Sequence, residues 1–180
     1  MIFALYERPD GVAVGDASRV VYDLTRNEAH LGAARVEGPA IVWALEETPD
    51  PHEAALQAEI DLDPAVDWLV RCDRVDFPPG GIAYRHVHPG PGIRRLLFGE
   101  LTIESPAGTH TYRAGEPWFE GADFPVLATA STTEDTAFVR VLLLPAEWAG
   151  KRTIRYVDPA DDERPRLQRA TIFLEEPLER

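Results

Sequence analysis

The stretch of sequence that decides the fold is residues 80–99, GGIAYRHVHPGPGIRRLLFG. Residues 82–88 alternate between apolar and polar types, with glycine and proline turn signals on both sides, which predicts a β-strand. His86 and His88 are two residues apart in that strand, so both imidazoles face the same side, about 7 Å apart at Cα. Two neutral imidazoles at this spacing can converge on one divalent ion or line one pocket.

Working outward from this strand, the sequence shows a series of short strands at close, regular spacing with glycine and proline turns between them. Such a series predicts an antiparallel sandwich or barrel. The longest of these segments contains Gly99, where we expect a bend or bulge. The predicted strands are residues 68–77, 82–88, 94–104, 109–113, 118–120, 126–130 and 137–144.

The flanking segments carry weaker signals, and they divide the chain into three parts. We predict N-terminal strands and connecting segments over residues 1–64, a barrel over 65–145, and a polar C-terminal extension with a late strand over 146–180. Residues 50–59 combine a capping aspartate with Pro51, which favours a short helix, although an extended segment is an open alternative. The remaining predicted strands are residues 2–6, 20–24, 40–45 and 170–174.

Composition and charge exclude several classes of partner. The net charge of −13 over 180 residues disfavours nucleic acid and anionic membrane surfaces. With Cys72 as the single cysteine, no internal disulfide can form, and its apolar strand predicts a buried structural thiol. The N-terminus shows no signal-peptide pattern, and the longest apolar run, residues 141–146, is too short to cross a bilayer. We therefore expect a cytoplasmic protein.

The spacing around the histidines resembles the first motif of the cupin superfamily. That motif has a glycine, five residues, His-x-His, three or four residues, a glutamate, six residues and a second glycine. Gly80, His86, His88 and Gly99 occupy the matching positions. The resemblance, which covers roughly residues 65–144, implies an all-β, RmlC-like jelly-roll barrel with both histidines inside it.

The sequence also departs from the family pattern at positions that usually bind metal. Gly92 stands at the glutamate position of the first motif. The second motif begins at Gly115, but its histidine position is Val126, so one carboxylate and one imidazole of the usual four ligands are absent. Two imidazoles alone bind a divalent ion weakly. Glu120 is the first candidate for a replacement ligand, with Glu100 and His110 as weaker ones.

Three further residues are candidates for the lining of the pocket. Tyr84 shares strand parity with the two histidines and is expected to face the same way. Arg94 shares parity with position 92, and an arginine inside an apolar barrel needs an anionic partner. That partner is either a substrate carboxylate or Glu120, and we favour the structural ion pair with Glu120. Trp118 is a pocket candidate whose type is more often found in the core.

The resemblance implies a protein that acts on or binds a small molecule, and whether it is an enzyme stays open. One hypothesis is a metal-dependent enzyme with His86 and His88 as ligands of an atypical site for Fe, Mn, Ni or Zn. The alternative is a metal-free barrel that binds a ligand without catalysis and needs no cofactor. Metal-free acid/base catalysis is a third hypothesis. We also expect a homodimer, because symmetric dimers are the commonest soluble assembly.

Overall fold

The computed structural model describes residues 1–15, 19–49 and 52–178. These ranges form strands that pair in antiparallel fashion, together with two short 3₁₀ helices. None of the helices in these ranges is long and apolar enough to cross a membrane. The fold class predicted from the sequence, an all-β antiparallel barrel, is confirmed.

The centre of the molecule is a barrel of eight strands in two facing sheets. The strands, numbered along the chain, are β8 (Trp68–Phe77), β9 (Ile82–Val87), β10 (Gly92–Phe98), β11 (Glu100–Ser105), β12 (Gly108–Arg113), β13 (Pro117–Glu120), β14 (Val126–Ala130) and β15 (Thr136–Pro145). One sheet has the order β13-β10-β15-β8 and the other the order β12-β11-β14-β9, so that the chain passes repeatedly between the sheets. This strand order is that of a jelly roll.

Gly99 divides the single long strand predicted over residues 94–104 into two strands that belong to different sheets. It adopts a positive φ of 78°, and a Cβ at this position would lie 2.5 Å from the carbonyl oxygen of Asp135. Only glycine avoids both the strain and the clash. The bend was therefore predicted correctly, but its consequence, a change of sheet, was not.

The sheet that contains β15 is buried on both faces. Nine of the ten residues of β15 are buried, which explains the continuous apolar run in this segment. Phe138 and Leu142 flank Arg140 at alternate positions, while Val139 and Val141 pack against the N-terminal part of the chain. Arg140 thus lies on the barrel side of its sheet, in line with its strand parity.

The N-terminal residues form a third sheet, of five strands, that packs on the outer face of the β15-containing sheet. Trp43 joins the two layers, because its indole Nε1 donates a hydrogen bond to the carbonyl oxygen of Ile93 at 3.1 Å. In their order across the sheet, the strands are β4 (Glu28–Leu31), β3 (Arg19–Asp23), β6 (Ala40–Glu46), β1 (Ile2–Arg8) and β7 (Leu56–Glu59). The strands β2 (Val12–Val14) and β5 (Ala34–Val36) form a separate two-stranded sheet that packs against this one.

Of the two alternatives left open for residues 50–59, the helix is wrong over the second half and the extended segment is correct there, since β7 is extended and pairs with β1. Asp50 and Pro51, which suggested the helix start, lie outside the described residues. A short isolated helix is only marginally stable in water. Pairing with a neighbouring strand satisfies the backbone amides and carbonyls of this segment and also buries apolar side chains.

The C-terminal extension contributes residues to the interior wall of the barrel and then returns to one of the barrel sheets. The 3₁₀ helix Ala146–Trp148 is held by Arg71, whose guanidinium donates to the carbonyl oxygens of Trp148 and Lys151 at 3.1 and 3.0 Å. The strand β16 (Arg155–Tyr156) pairs with β9, and the 3₁₀ helix Pro159–Glu163 follows it. The late strand, predicted over residues 170–174, is β17 (Arg169–Pro177) and pairs with β8.

Candidate functional site

A cavity of about 200 Å³ lies between the two sheets of the jelly roll. Most of its wall is apolar, and a group of charged and imidazole side chains lies among these apolar residues. The apolar residues of the wall include Val75, Phe77, Ile103, Trp118, Val126 and Phe138, and the polar ones from the barrel strands are His86, His88, Arg94, Glu120 and Arg140. The residues predicted to share the pocket are therefore brought together, with the exception of Tyr84.

The two histidines point into the barrel, as their spacing predicts. Both are buried, at 4% and 3% exposure, and their ring centroids are 5.0 Å apart with the rings nearly perpendicular. His86 lies on β9 and pairs with Val126, which stands at the histidine position of the family's second motif. His88 follows the end of β9.

His86 has a defined tautomer when it is neutral. Its Nδ1 lies 2.7 Å from the carbonyl oxygen of Tyr84, and because a carbonyl can only accept, Nδ1 carries the proton. Burial lowers the pKa of His86, although the Glu120 carboxylate opposes this effect. The Nε2 atom of the neutral ring therefore offers a lone pair on the side of the ring away from Tyr84.

His88 has no lone pair to offer. Its Nε2 accepts a hydrogen bond from Nη1 of Arg140 at 3.0 Å, and its Nδ1 donates to the hydroxyl of Thr153 at 3.1 Å. Burial, followed by the positive charge of Arg140, lowers the pKa of His88 well below its usual range. The ring is thus a neutral bridge between the barrel wall and the C-terminal extension.

Each of the three guanidinium nitrogens of Arg140 donates a hydrogen bond to a neighbour. Its Nε and Nη2 donate to the two carboxylate oxygens of Asp73 at 2.7 and 3.2 Å, and its Nη1 donates to His88. Asp73 is directly opposite Arg140 in the pairing of β8 with β15. Both side chains are buried, which makes this a bidentate ion pair largely shielded from water.

Arg94 forms the ion pair with Glu120 that strand parity suggested. Nη2 of Arg94 lies 2.7 Å from Oε2 of Glu120, while the other carboxylate oxygen accepts from the indole Nε1 of Trp118 at 2.8 Å. Nη1 of Arg94 donates to the carbonyl oxygen of Gly92 at 2.6 Å. Burial lowers the pKa of Arg94 to about 10 against the opposing effect of Glu120, so the guanidinium remains a cation at neutral pH.

Gly92 makes room for this guanidinium. A Cβ at position 92 would lie 3.0 Å from Nη1 of Arg94 and 2.8 Å from the carbonyl oxygen of Val141. The cation of Arg94 thus lies against the backbone from which the carboxylate ligand projects in cupins that bind metal.

The donor set does not fit a divalent metal ion. The lone pair of His88 is directed at a guanidinium, both oxygens of Glu120 have cationic or N–H partners, and the two arginines would repel a cation. The described residues contain no group of three histidine, cysteine, aspartate or glutamate side chains arranged to hold one. The weaker candidates are elsewhere, since Glu100 pairs with Arg113 and His110 packs on Tyr112.

Tyr84 does not line the cavity, contrary to the parity argument. The pairing of β9 with β14 shifts between Val126 and Ala128, so that Ala83 and His86 both face inward. This bulge inserts an extra residue and reverses the direction of Tyr84, whose ring lies beneath the guanidinium of Arg164 at 4.7 Å.

The sequence did not reveal several residues that lie far along the chain from the histidines and that pair with, or lie beside, the side chains of the cavity. Asp73 is one of four charged residues in β8, but it shares strand parity with the apolar Val75 and Phe77, which is a usable signal, because a carboxylate on that face needs a partner. Thr153, Arg152 and Arg166 belong to the polar extension and carry no such signal. Arg152 and Arg166 line the cavity and share Asp162 as their ion-pair partner, at 2.8 and 2.6 Å.

The strand order and the inward histidines define a jelly-roll barrel with an internal cavity. This is the fold implied by the resemblance of residues 80–99 to the cupin superfamily. No family model matches the sequence, and no curated protein matches it.

Several solved structures are similar over part of the chain. The polyketide cyclase RemF from Streptomyces resistomycificus is 19% identical with a TM-score of 0.42, covering 56% of this chain and 67% of that one. A Cupin 2 conserved barrel domain protein from Salinispora arenicola is 18% identical with a TM-score of 0.39, covering 58% and 92%. An oxalate oxidase in complex with the substrate analogue glycolate is 21% identical with a TM-score of 0.38, covering 44% and 47%.

Proposed function

We propose that this chain is a metal-free cupin barrel that binds a small, largely apolar molecule between its two sheets. The single observation that carries the proposal is the hydrogen bond from Arg140 to Nε2 of His88. That bond uses the electron pair a metal would need. The mostly apolar wall of the cavity, with a few convergent polar groups, is typical of small-molecule sites.

The metal-dependent enzyme suggested by the family resemblance requires a rearrangement of this network. His88 can coordinate an ion only after Arg140 moves away, and that movement leaves the carboxylate of Asp73 buried without its partner. Breaking one side of a buried pair costs about 3–5 kcal/mol. Ligation by His86 and His88 would have to offset this cost as well as the repulsion from Arg94.

The first experiment measures metal content and its effect on stability. We expect protein purified without added metal to contain far less than one equivalent of Fe, Mn, Ni or Zn by elemental analysis. We also expect a chelator to leave the melting temperature unchanged. Near one equivalent of metal, lost in His86→Ala and His88→Ala variants and stripped by the chelator with a fall in melting temperature, would overturn the proposal.

The second experiment tests the cavity itself with neutral aromatic probes such as 2-naphthamide, followed by calorimetry. Ala128 lines the cavity, so Ala128→Phe should fill part of it and weaken probe binding. Ala107 lies in the exposed turn between β11 and β12, and Ala107→Phe is the matched control that should bind normally. Equal binding by both variants would place the probe outside the barrel and contradict the proposal.

A further inference from the structure

The charge of the cavity wall is opposite to that of the whole chain. The chain carries a net charge of −13. Four arginines line the cavity, namely Arg94, Arg140, Arg152 and Arg166, whereas Glu120 is the one carboxylate among its described lining residues. Clefts lined by one sign of charge with apolar walls concentrate ligands of the opposite sign. Asp73 pairs with Arg140 from behind the wall, and Asp162 pairs with both Arg152 and Arg166, so the four arginines face three carboxylates in all. A small excess of positive charge therefore remains at the cavity of an acidic protein.

The two arginines inside the barrel differ in how well their hydrogen bonds are satisfied. Arg140 donates through Nε, Nη1 and Nη2 to Asp73 and His88, as described above. Arg94 is 1% exposed, and its Nη2 has no partner in hydrogen-bond geometry within the described residues. Its contact with Glu120 at 2.7 Å is close enough for an ion pair but not aligned for a hydrogen bond.

A buried guanidinium with an unsatisfied N–H group is costly unless a ligand completes it. Glu120 cannot align fully with Arg94, because its other oxygen accepts from the indole of Trp118. A carboxylate entering from the cavity can offer the oxygens that Arg94 lacks, in the planar geometry that a guanidinium binds best.

We propose, building on the metal-free pocket above, that the ligand is an organic monocarboxylate with an apolar, aromatic-sized body, whose carboxylate binds Arg94. Glu120 is the internal anion that partly neutralises Arg94 in the absence of this ligand. The body of the ligand lies against Phe138 and Trp118, whose rings pack edge to face at 5.3 Å in the cavity wall. Arg152 and Arg166 attract the acid to the opening.

The test compares acids with their amides, which match them in shape but carry no charge. Benzoate, 3-phenylpropionate and 2-naphthoate are titrated calorimetrically beside benzamide, 3-phenylpropionamide and 2-naphthamide. A charge-assisted hydrogen bond predicts that at least one acid binds about 10- to 100-fold more tightly than its amide. The proposal is overturned if no acid in the panel exceeds its amide, including the case in which none binds.

Two variants assign the preference to Arg94. The double variant Arg94→Met with Glu120→Gln removes both charges of the pair, leaves no unpaired buried charge, and should bind acid and amide equally. Glu120→Gln alone removes the competing anion and should bind the acid more tightly than the wild type does. If Arg94 is only structural, Glu120→Gln leaves acid affinity unchanged or lowers it, which contradicts the proposal.

The controls separate this inference from the proposed function. Arg35 is 78% exposed, so Arg35→Met should keep the wild-type preference. Amides that bind as well as the acids, and lose affinity in Ala128→Phe, would refute the monocarboxylate while leaving the metal-free pocket intact. Stoichiometric metal bound through His86 and His88 would refute the pocket proposal itself.

Discussion

Replacing Arg140 with methionine should destabilise the protein more than any comparable change at its surface. Asp73 is 1% exposed and both of its carboxylate oxygens accept from Arg140. Without the guanidinium, this carboxylate is buried and uncompensated, which costs about 3–5 kcal/mol in unfolding free energy. That is a large part of the roughly 5–15 kcal/mol that stabilises a typical domain. At about 2–4 °C per kcal/mol, the melting temperature falls by about 6–20 °C.

The assay is urea denaturation and calorimetry on three variants. Arg140→Met should show the full loss, whereas the double variant Arg140→Met with Asp73→Leu should recover most of it, since an apolar pair of similar volume needs no charge compensation. Arg35 pairs with Glu37 on the surface at 3.9 Å, with both side chains more than three-quarters exposed. Arg35→Met therefore serves as the matched control and should change stability by about 0.5 kcal/mol or less.

Two outcomes would refute the reasoning. If Arg140→Met costs under about 1 kcal/mol, water reaches Asp73 and the pair is not buried in solution. If the double variant is as unstable as the single one, the loss comes from packing or from His88 rather than from the charge of Asp73. Either result would also weaken the argument that Arg140 is held firmly enough to keep His88 from binding metal.

Two further predictions concern acid stability and assembly. Because burial lowers the pKa of His86 and His88, the unfolded chain binds protons below about pH 6.5 that the folded chain does not. The free energy of unfolding should therefore decrease as the pH is lowered, by up to about 1.4 kcal/mol per pH unit for each histidine. In denaturant titrations from pH 7.5 to 5.5, the His88→Gln variant should show a smaller decrease than the wild type. The predicted homodimer should have twice the 20.0 kDa chain mass by light scattering, and a monomer would contradict it.

The barrel was predictable because its signals are local. The turns around β9 contain glycine and proline in runs, and period-two alternation places His86 and His88 on one face without reference to the rest of the chain. The N-terminal sheet was only half predicted. The unpredicted strand β4 of this sheet, and the separate pair β2 and β5, are three or four residues long and depend on pairing partners rather than on their own composition.

The site was predictable only as far as strand parity holds. Tyr84 shows the limit, because a bulge in β9 is a property of its pairing with β14 and leaves no clear mark in the residues themselves. The network around His88 shows a second limit. Asp73 and Arg140 are 67 residues apart along the chain, and His88 and Thr153 are 65 residues apart. No local sequence pattern could therefore join them.

The departure from the family pattern at position 92 and the arginine at position 94 are structurally linked. A glutamate at position 92 would bring its Cβ against the guanidinium of Arg94 and the backbone of Val141, so the acid and the arginine cannot share this space as it stands. Where the family pattern has a glutamate carboxylate, this chain has Gly92 with the guanidinium of Arg94 against it, so a positive group stands where a negative one is usual. Arg140 likewise places a positive charge next to Nε2 of His88. The usual ligand set would therefore require changes at positions 92, 94 and 140 as well as an imidazole in place of Val126, whereas an anionic ligand needs none of these changes.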